Sequence, residues 1–193
     1  MNRLRHVAWS VAALLAAAPA LCAGAPPKSM SDAIVQHTLD NLVVLEDSHW
    51  HWGEYNHIVN LCRVQVEGDP ANIEAYSDAG WLLESLGRNP EAADLYTLGA
   101  LNNPKTYRLH WELGYHYGIF LKDWGRALPH LERAAAQADC PPISLHQLAH
   151  ALERAGRLQD CLSIWKKAAD NPRNEARATA AVQRDRVQRL INR

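Results

Sequence analysis

The 193-residue sequence has no stretch that combines β-branched residues with strict alternation, so neither an α/β nor an all-β fold finds support in it. It has no glycine loop to cradle a phosphate, no nucleophile elbow, no His-Glu-x-x-His pair and no paired Cys ligands. Without these, catalysis has no recognisable foothold, and no enzyme activity or cofactor is expected. Cysteine is scarce as well. Beyond the first 25 residues only Cys62, Cys140 and Cys161 occur, an odd number with no Cys-x-x-Cys spacing, which excludes a disulfide framework. One bond stays open, with Cys140 and Cys161 the nearest pair in sequence; the other reading is three thiols packed as small hydrophobes. The one long apolar run, Val7 to Leu21, is too short for the roughly 20 residues that cross a bilayer, so no stable membrane insertion is expected.

That apolar run has a different meaning. Arg3 and Arg5 precede it and small residues follow, the pattern of a secretory signal peptide over residues 1–23. Cleavage is expected after Ala23, with Ala20 and Ala25 as other candidates. Leu21 stands before Cys22 where a lipidation signal wants a small side chain, which argues against a lipid anchor. The expected home of the mature chain is the periplasm of a double-membraned bacterium, or the outside. Charge is uneven along it: residues 26–172 carry 12 Lys and Arg against 19 Asp and Glu, while residues 173–193 carry six Arg against Glu175 and Asp185. A basic tail suits a nucleic acid or anionic lipid, but in an exported protein it reads as the solvated face of a terminal helix, and no nucleic-acid partner is expected.

What the sequence has in abundance is a period. Gly80, Gly114 and Ala149 recur in step, as do Ala92, Ala127 and Cys161, and Gly99, Ala134 and Ala168, each column advancing by 34 or 35 residues. Apolar residues at helical spacing fill the intervals: Tyr76, Ala79 and Leu83, then Leu113 and Tyr117, then Leu145, Leu148 and Leu152. Each such helix is followed by a second amphipathic run after a break at Gly87, around Asp123 or at Gly156. The unit is a helical hairpin, and its columns are small because two helices approach to about 8 Å only where neither puts bulk at the crossing. Pro104, Pro141 with Pro142, and Pro172 fall between units, where a missing N–H ends one helix or starts another.

A helix–turn–helix of this length with these small, aromatic and proline positions resembles the tetratricopeptide repeat. Its best copy is residues 73–106, where Tyr76, Gly80, Leu83, Gly87, Ala92, Tyr96 and Pro104 match the family pattern. Residues 107–141 form a second copy with one residue inserted near the turn, and 142–175 a third. His110 and Leu131 depart from the usual larger aromatics, and Gly99 from alanine. A degenerate copy spans 39–72, preceded by a leader and helix start over 24–38 that Ser31 is placed to cap. Residues 176–193 read as a capping helix with a basic tail, its apolar edge formed by Ala180, Val187, Leu190 and Ile191. The expected fold class is therefore all-α, an α-solenoid of hairpins.

The resemblance also implies a site. In this family the first helices line a groove, and the register carries Trp50 and His51, then Ser77, Trp81 and Glu84, then Arg108, Trp111 and Tyr115, then His146 and His150 onto it. Tryptophans are frequent binding hot spots, so a protein or peptide partner is expected, with apolar anchors against Trp81, Trp111 and Tyr115 and with Arg108 and Glu84 fixing orientation. Two alternatives stand beside it: Trp81 and Trp111 packed in the core, and a cell-wall glycan stacked on the same rings. Histidine offers a third. His49, His51 and His57 cluster in sequence, and His146 and His150 stand one turn apart, but a metal site needs three or four converging ligands and the sequence identifies no such set.

Overall fold

A computed structural model describes residues 29–193. The signal-peptide expectation and Cys22 lie outside those residues. Among the described residues the chain is helical throughout, without strands, and each helix packs against the next in sequence. Helices α1 (Met30–Trp52) and α2 (Tyr55–Gly68) form the first hairpin, α3 (Ile73–Ser85) and α4 (Asn89–Asn102) the second. In the third, α5 (Tyr107–Tyr115) runs into a π-helical turn (His116–Phe120) before α6 (Trp124–Ala135). A 3₁₀ turn (Pro142–Ser144) opens the fourth, α7 (Leu145–Arg154) with α8 (Leu158–Asp170), and α9 (Arg177–Ile191) closes the array. The first helix is capped by Ser29 and not by Ser31: the Ser29 hydroxyl accepts the Asp32 amide at 3.1 Å, and Ser31 already lies in the first turn.

The interhelical turns share one device. Gly53, Gly87, Lys122 and Gly156 all take positive φ, between 57° and 73°, at the same position of successive hairpins. The amide after each glycine reaches back five residues, Glu54 to His49, Arg88 to Leu83 and Arg157 to Leu152, which closes a Schellman motif on the last carbonyls of the first helix. At the third turn the same amide, Asp123, reaches Tyr117, six residues back. The π-helical turn explains the difference. A π turn absorbs one extra residue without breaking the helix, and it lies where the sequence carries its insertion, so the hairpin keeps its register.

All nine residues of the three small columns are buried. A Cβ on Gly80 would lie 2.2 Å from the Tyr96 ring, and one on Gly114 2.6 Å from Leu131 Cγ, so glycine is what lets these helices meet. The core has two sections. One joins α2 to α5 through Val59, Cys62, Tyr76, Leu83, Tyr96 and Leu109; the other joins α6 to α9 through Leu131, Leu148, Leu152, Trp165 and Val187; Tyr117 packs against both. Cys62, Cys140 and Cys161 are free thiols. Burial pushes the Cys161 thiol up to about 11, and raises Cys62 further through burial and then through its bond to Glu46. The first helix is exceptional in having no fully buried residue.

Candidate functional site

The first helices of the four hairpins, α1, α3, α5 and α7, present a row of adjoining cavities of about 400, 390 and 510 Å³. Asp78 and Trp81 wall both the first and the second, and Trp111 both the second and the third. Of the residues expected to line a groove, Trp50 lies in the first cavity; Ser77, Trp81, Glu84, Arg108, Trp111 and Tyr115 meet in the second; His146 and His150 line the third. His51 stands apart: its side chain is exposed and faces Asp47 at 3.8 Å. The two tryptophans differ in burial. Trp81 is 52 % exposed and stacks on Trp50 with ring centroids 5.8 Å apart, whereas Trp111 is half-buried, packs against the second core section and stacks on Tyr115 at 5.2 Å.

Polar residues that the repeat register did not single out complete the second cavity. Glu112 accepts a hydrogen bond from the Ser77 hydroxyl at 2.8 Å and another from Arg108 Nε at 3.1 Å, while Arg108 Nη1 also reaches Glu74 on the neighbouring hairpin. Burial still raises the Glu112 carboxyl above its usual range despite these donors. Asp78 is raised too, first by desolvation in the cavity wall and then by Glu74. Glu84 is not free to meet a ligand. It is buried, and its Oε1 lies 2.7 Å from Nδ1 of the fully buried His116, whose Nε2 lies 3.0 Å from the Asn89 carbonyl. The orienting role expected of Glu84 is thus taken up inside the fold. His116 belongs to the π-helical turn, so the inserted residue is what delivers this imidazole to Glu84. Arg108 to Glu112 is an i, i+4 pair that spacing alone would have flagged; His116 to Glu84 crosses two hairpins and leaves no local signal.

Charge along the row is one-sided. Glu46, Asp47, Asp78, Glu84 and Glu112 line the first two cavities, and Arg108, in the second, is the one Lys or Arg among the linings of the three. His146 and His150 are not joined by a third ligating side chain among the described residues. They sit edge-on to the buried Trp165 ring at 4.9 and 5.2 Å, and burial lowers both their pKa values. Among the described residues, one group of ligating side chains converges, His49, Glu54 and His57, at the tip of the first hairpin.

Neither a protein-family model nor a curated protein matches the sequence. Solved structures do match in shape. YrrB, described as a TPR protein with an unusual peptide-binding site, is 18% identical with a TM-score of 0.62, the match covering 86% of this chain and 85% of that one. MamA from Desulfovibrio magneticus RS-1 is 18% identical with a TM-score of 0.57 over 80% of this chain and 95% of the other. TTC0263, a thermophilic TPR protein of Thermus thermophilus, is 19% identical with a TM-score of 0.57 over 81% and 88%. Hairpins in a 34- or 35-residue period, glycine at their crossings and left-handed turns between their helices all agree with that likeness: by fold, the chain is a tetratricopeptide-repeat solenoid.

Proposed function

We propose that the chain is an exported scaffold that holds a cationic, amphipathic segment of a partner protein along the cavities of its first helices. The observation that carries this reading is the second cavity, where the exposed ring of Trp81 and the half-buried rings of Trp111 and Tyr115 stand among carboxylates with a single arginine. Aromatic faces supply apolar contact at small entropic cost, and the acidic walls favour Lys or Arg on the same segment. The shape of YrrB, a protein with a peptide-binding site, supports the class of partner. Export rests on the basic, then apolar, then small-residue pattern of residues 1–23.

Panning a random peptide library on residues 24–193 tests it. Selected peptides should pair aromatic or aliphatic anchors with Lys or Arg, and Trp81→Ala should weaken them by roughly tenfold or more, the loss of a hot spot, with its melting temperature nearly kept. Peptides that bind Trp81→Ala as well as they bind the parent would remove the site. Export is read separately, by fusing residues 1–28 to a reporter active only outside the cytoplasm; an inactive fusion would refute it.

A further inference from the structure

The tip of the first hairpin is unlike the other three. Its αL glycine, Gly53, turns the chain so that the last turn of α1 and the first turn of α2 present His49 and His57 on either side of Glu54. One ligand atom from each residue lies within 4.8 Å of the others. The Glu54 carboxylate is 2.6 Å from His49 Nδ1 and 3.5 Å from His57 Nδ1, and the two imidazoles stand edge to face with centroids 4.9 Å apart. The turn itself is held: the Glu54 amide bonds the His49 carbonyl at 3.0 Å, so the positions of two of the ligands are tied through the backbone.

We infer that His49, Glu54 and His57 form a binding site for a late first-row divalent cation, Zn²⁺ in the first instance. Two imidazoles and one carboxylate are a borderline N₂O donor set, which suits Zn²⁺ and leaves a fourth position to water or another ligand. Ligand atoms about 2.05 Å from a tetrahedral ion stand about 3.3 Å from one another. The His57–Glu54 separation already meets that spacing, and the His49–Glu54 hydrogen bond needs to open by less than an ångström. Each imidazole ligates through the Nδ1 lone pair with its proton on Nε2, so the ion replaces the hydrogen bond between His49 and Glu54. His49 and His57 were visible in the sequence as part of a cluster. Glu54, the ligand that completes the set, was not, because only the hairpin turn aims it between them.

The consequence is mechanical. The first helix has no fully buried residue, and its last turn carries Trp50, which stacks on Trp81 across the first cavity. An ion ligated from both sides of the turn clips α1 to α2, adding a tie to the least anchored helix of the array. This site does not depend on the peptide-binding reading, and its test uses no peptide.

Isothermal titration of chelator-stripped protein with Zn²⁺ should give one site per chain in the micromolar range. His49→Ala and His57→Ala should each weaken it by at least tenfold, as should Glu54→Gln, while His51→Ala and His146→Ala leave it unchanged. His57 is exposed, so its variant keeps the fold, which circular dichroism verifies. Zn²⁺ should also slow amide exchange in α1 of the parent and not of His57→Ala. No heat with the parent chain, or affinity in His49→Ala and His57→Ala equal to the parent's, would overturn the assignment.

Discussion

Trp81 and Glu84 lie almost one turn apart on α3 and border the same cavity with opposite commitments. Trp81 is half in water and rests on Trp50, so Trp81→Ala gives up one aromatic pair and is expected to cost about 1 kcal/mol or less. Glu84 is held by a buried imidazole, so Glu84→Ala strands the Nδ1 of His116 and is expected to cost about 1–3 kcal/mol in urea unfolding. Trp111 falls between them, which is why Trp81 is the cleaner probe of binding. His110 is a third kind of residue. It is buried where the repeat pattern wants an aromatic, it stacks on His130 at 6.3 Å, and neither ring nitrogen makes a well-formed hydrogen bond. Replacing a buried, unpaired polar ring with a hydrocarbon of similar volume, His110→Leu, is expected to gain about 1 kcal/mol. The gain should grow in mild acid. Burial lowers the pKa of His110, His130, His146 and His150, so the folded chain resists protons that the unfolded chain accepts. The stability this confers is complete above the ordinary imidazole pKa and is lost as pH falls through the lowered values. Melting temperatures of parent and His110→Leu between pH 7.5 and 5 should diverge as pH falls; parallel curves would show that His110 is not among the groups forced to charge.

At the scale of the element, the hairpins are specified by what their crossings and turns tolerate. Gly80→Ala would drive a methyl into the Tyr96 ring and is expected to cost about 1–3 kcal/mol, net of alanine's better helix propensity. Lys122→Gly should do the opposite. Lys122 occupies at φ 57° the left-handed position that its three counterparts give to glycine, and relieving that strain is expected to raise stability by about 0.5–1 kcal/mol. An unchanged denaturation midpoint would mean the third turn is held by the π-helical segment alone. The same comparison shows how the sequence was legible. Small columns and turn glycines announce themselves by period, because every hairpin must meet the same steric limit. The inserted residue was also visible between Gly114 and Ala127, but period says only that a turn is longer there. That the helix would absorb it as a π turn, and so swing His116 beneath Glu84, depends on a partner two helices away. Most of the expected groove positions lie along the cavities for the first reason; the charge of those cavities, set by Asp78 and Glu112 as much as by any residue singled out, depends on tertiary neighbours.

Across the whole molecule, stability is distributed as in any one-dimensional array, where a unit is held by its neighbours and the ends have one neighbour fewer. The two ends of the described array are finished differently. At the C-terminal end α9 lays Ala180 and Val187, both fully buried, onto the second core section and ties Arg186 to Glu153 through two hydrogen bonds, one of them 2.7 Å. At the other end α1 buries no residue fully and exposes Ile34, Val35, Val43, Val44 and Leu45, and its inward contacts include the bonds of Glu46 to Cys62 and Gln65, the stack of Trp50 on Trp81 and the packing of Leu39 near Gly68. Opening should therefore run from the N-terminal end. Native-state amide exchange is expected to show α1 with the lowest protection, α2 next, and the α3–α5 section around Tyr76, Leu83 and Leu109 exchanging only with global unfolding. α9, although terminal, should exchange with α7 and α8, because it packs on α8, shares their core section and is tied to α7 through Arg186 and Glu153. Protection in α1 equal to that of α3 would mean that its exposed apolar face is covered in solution, and dilution would then separate a second copy of the chain, whose cover is lost, from the chain's own N-terminal residues, whose cover is not.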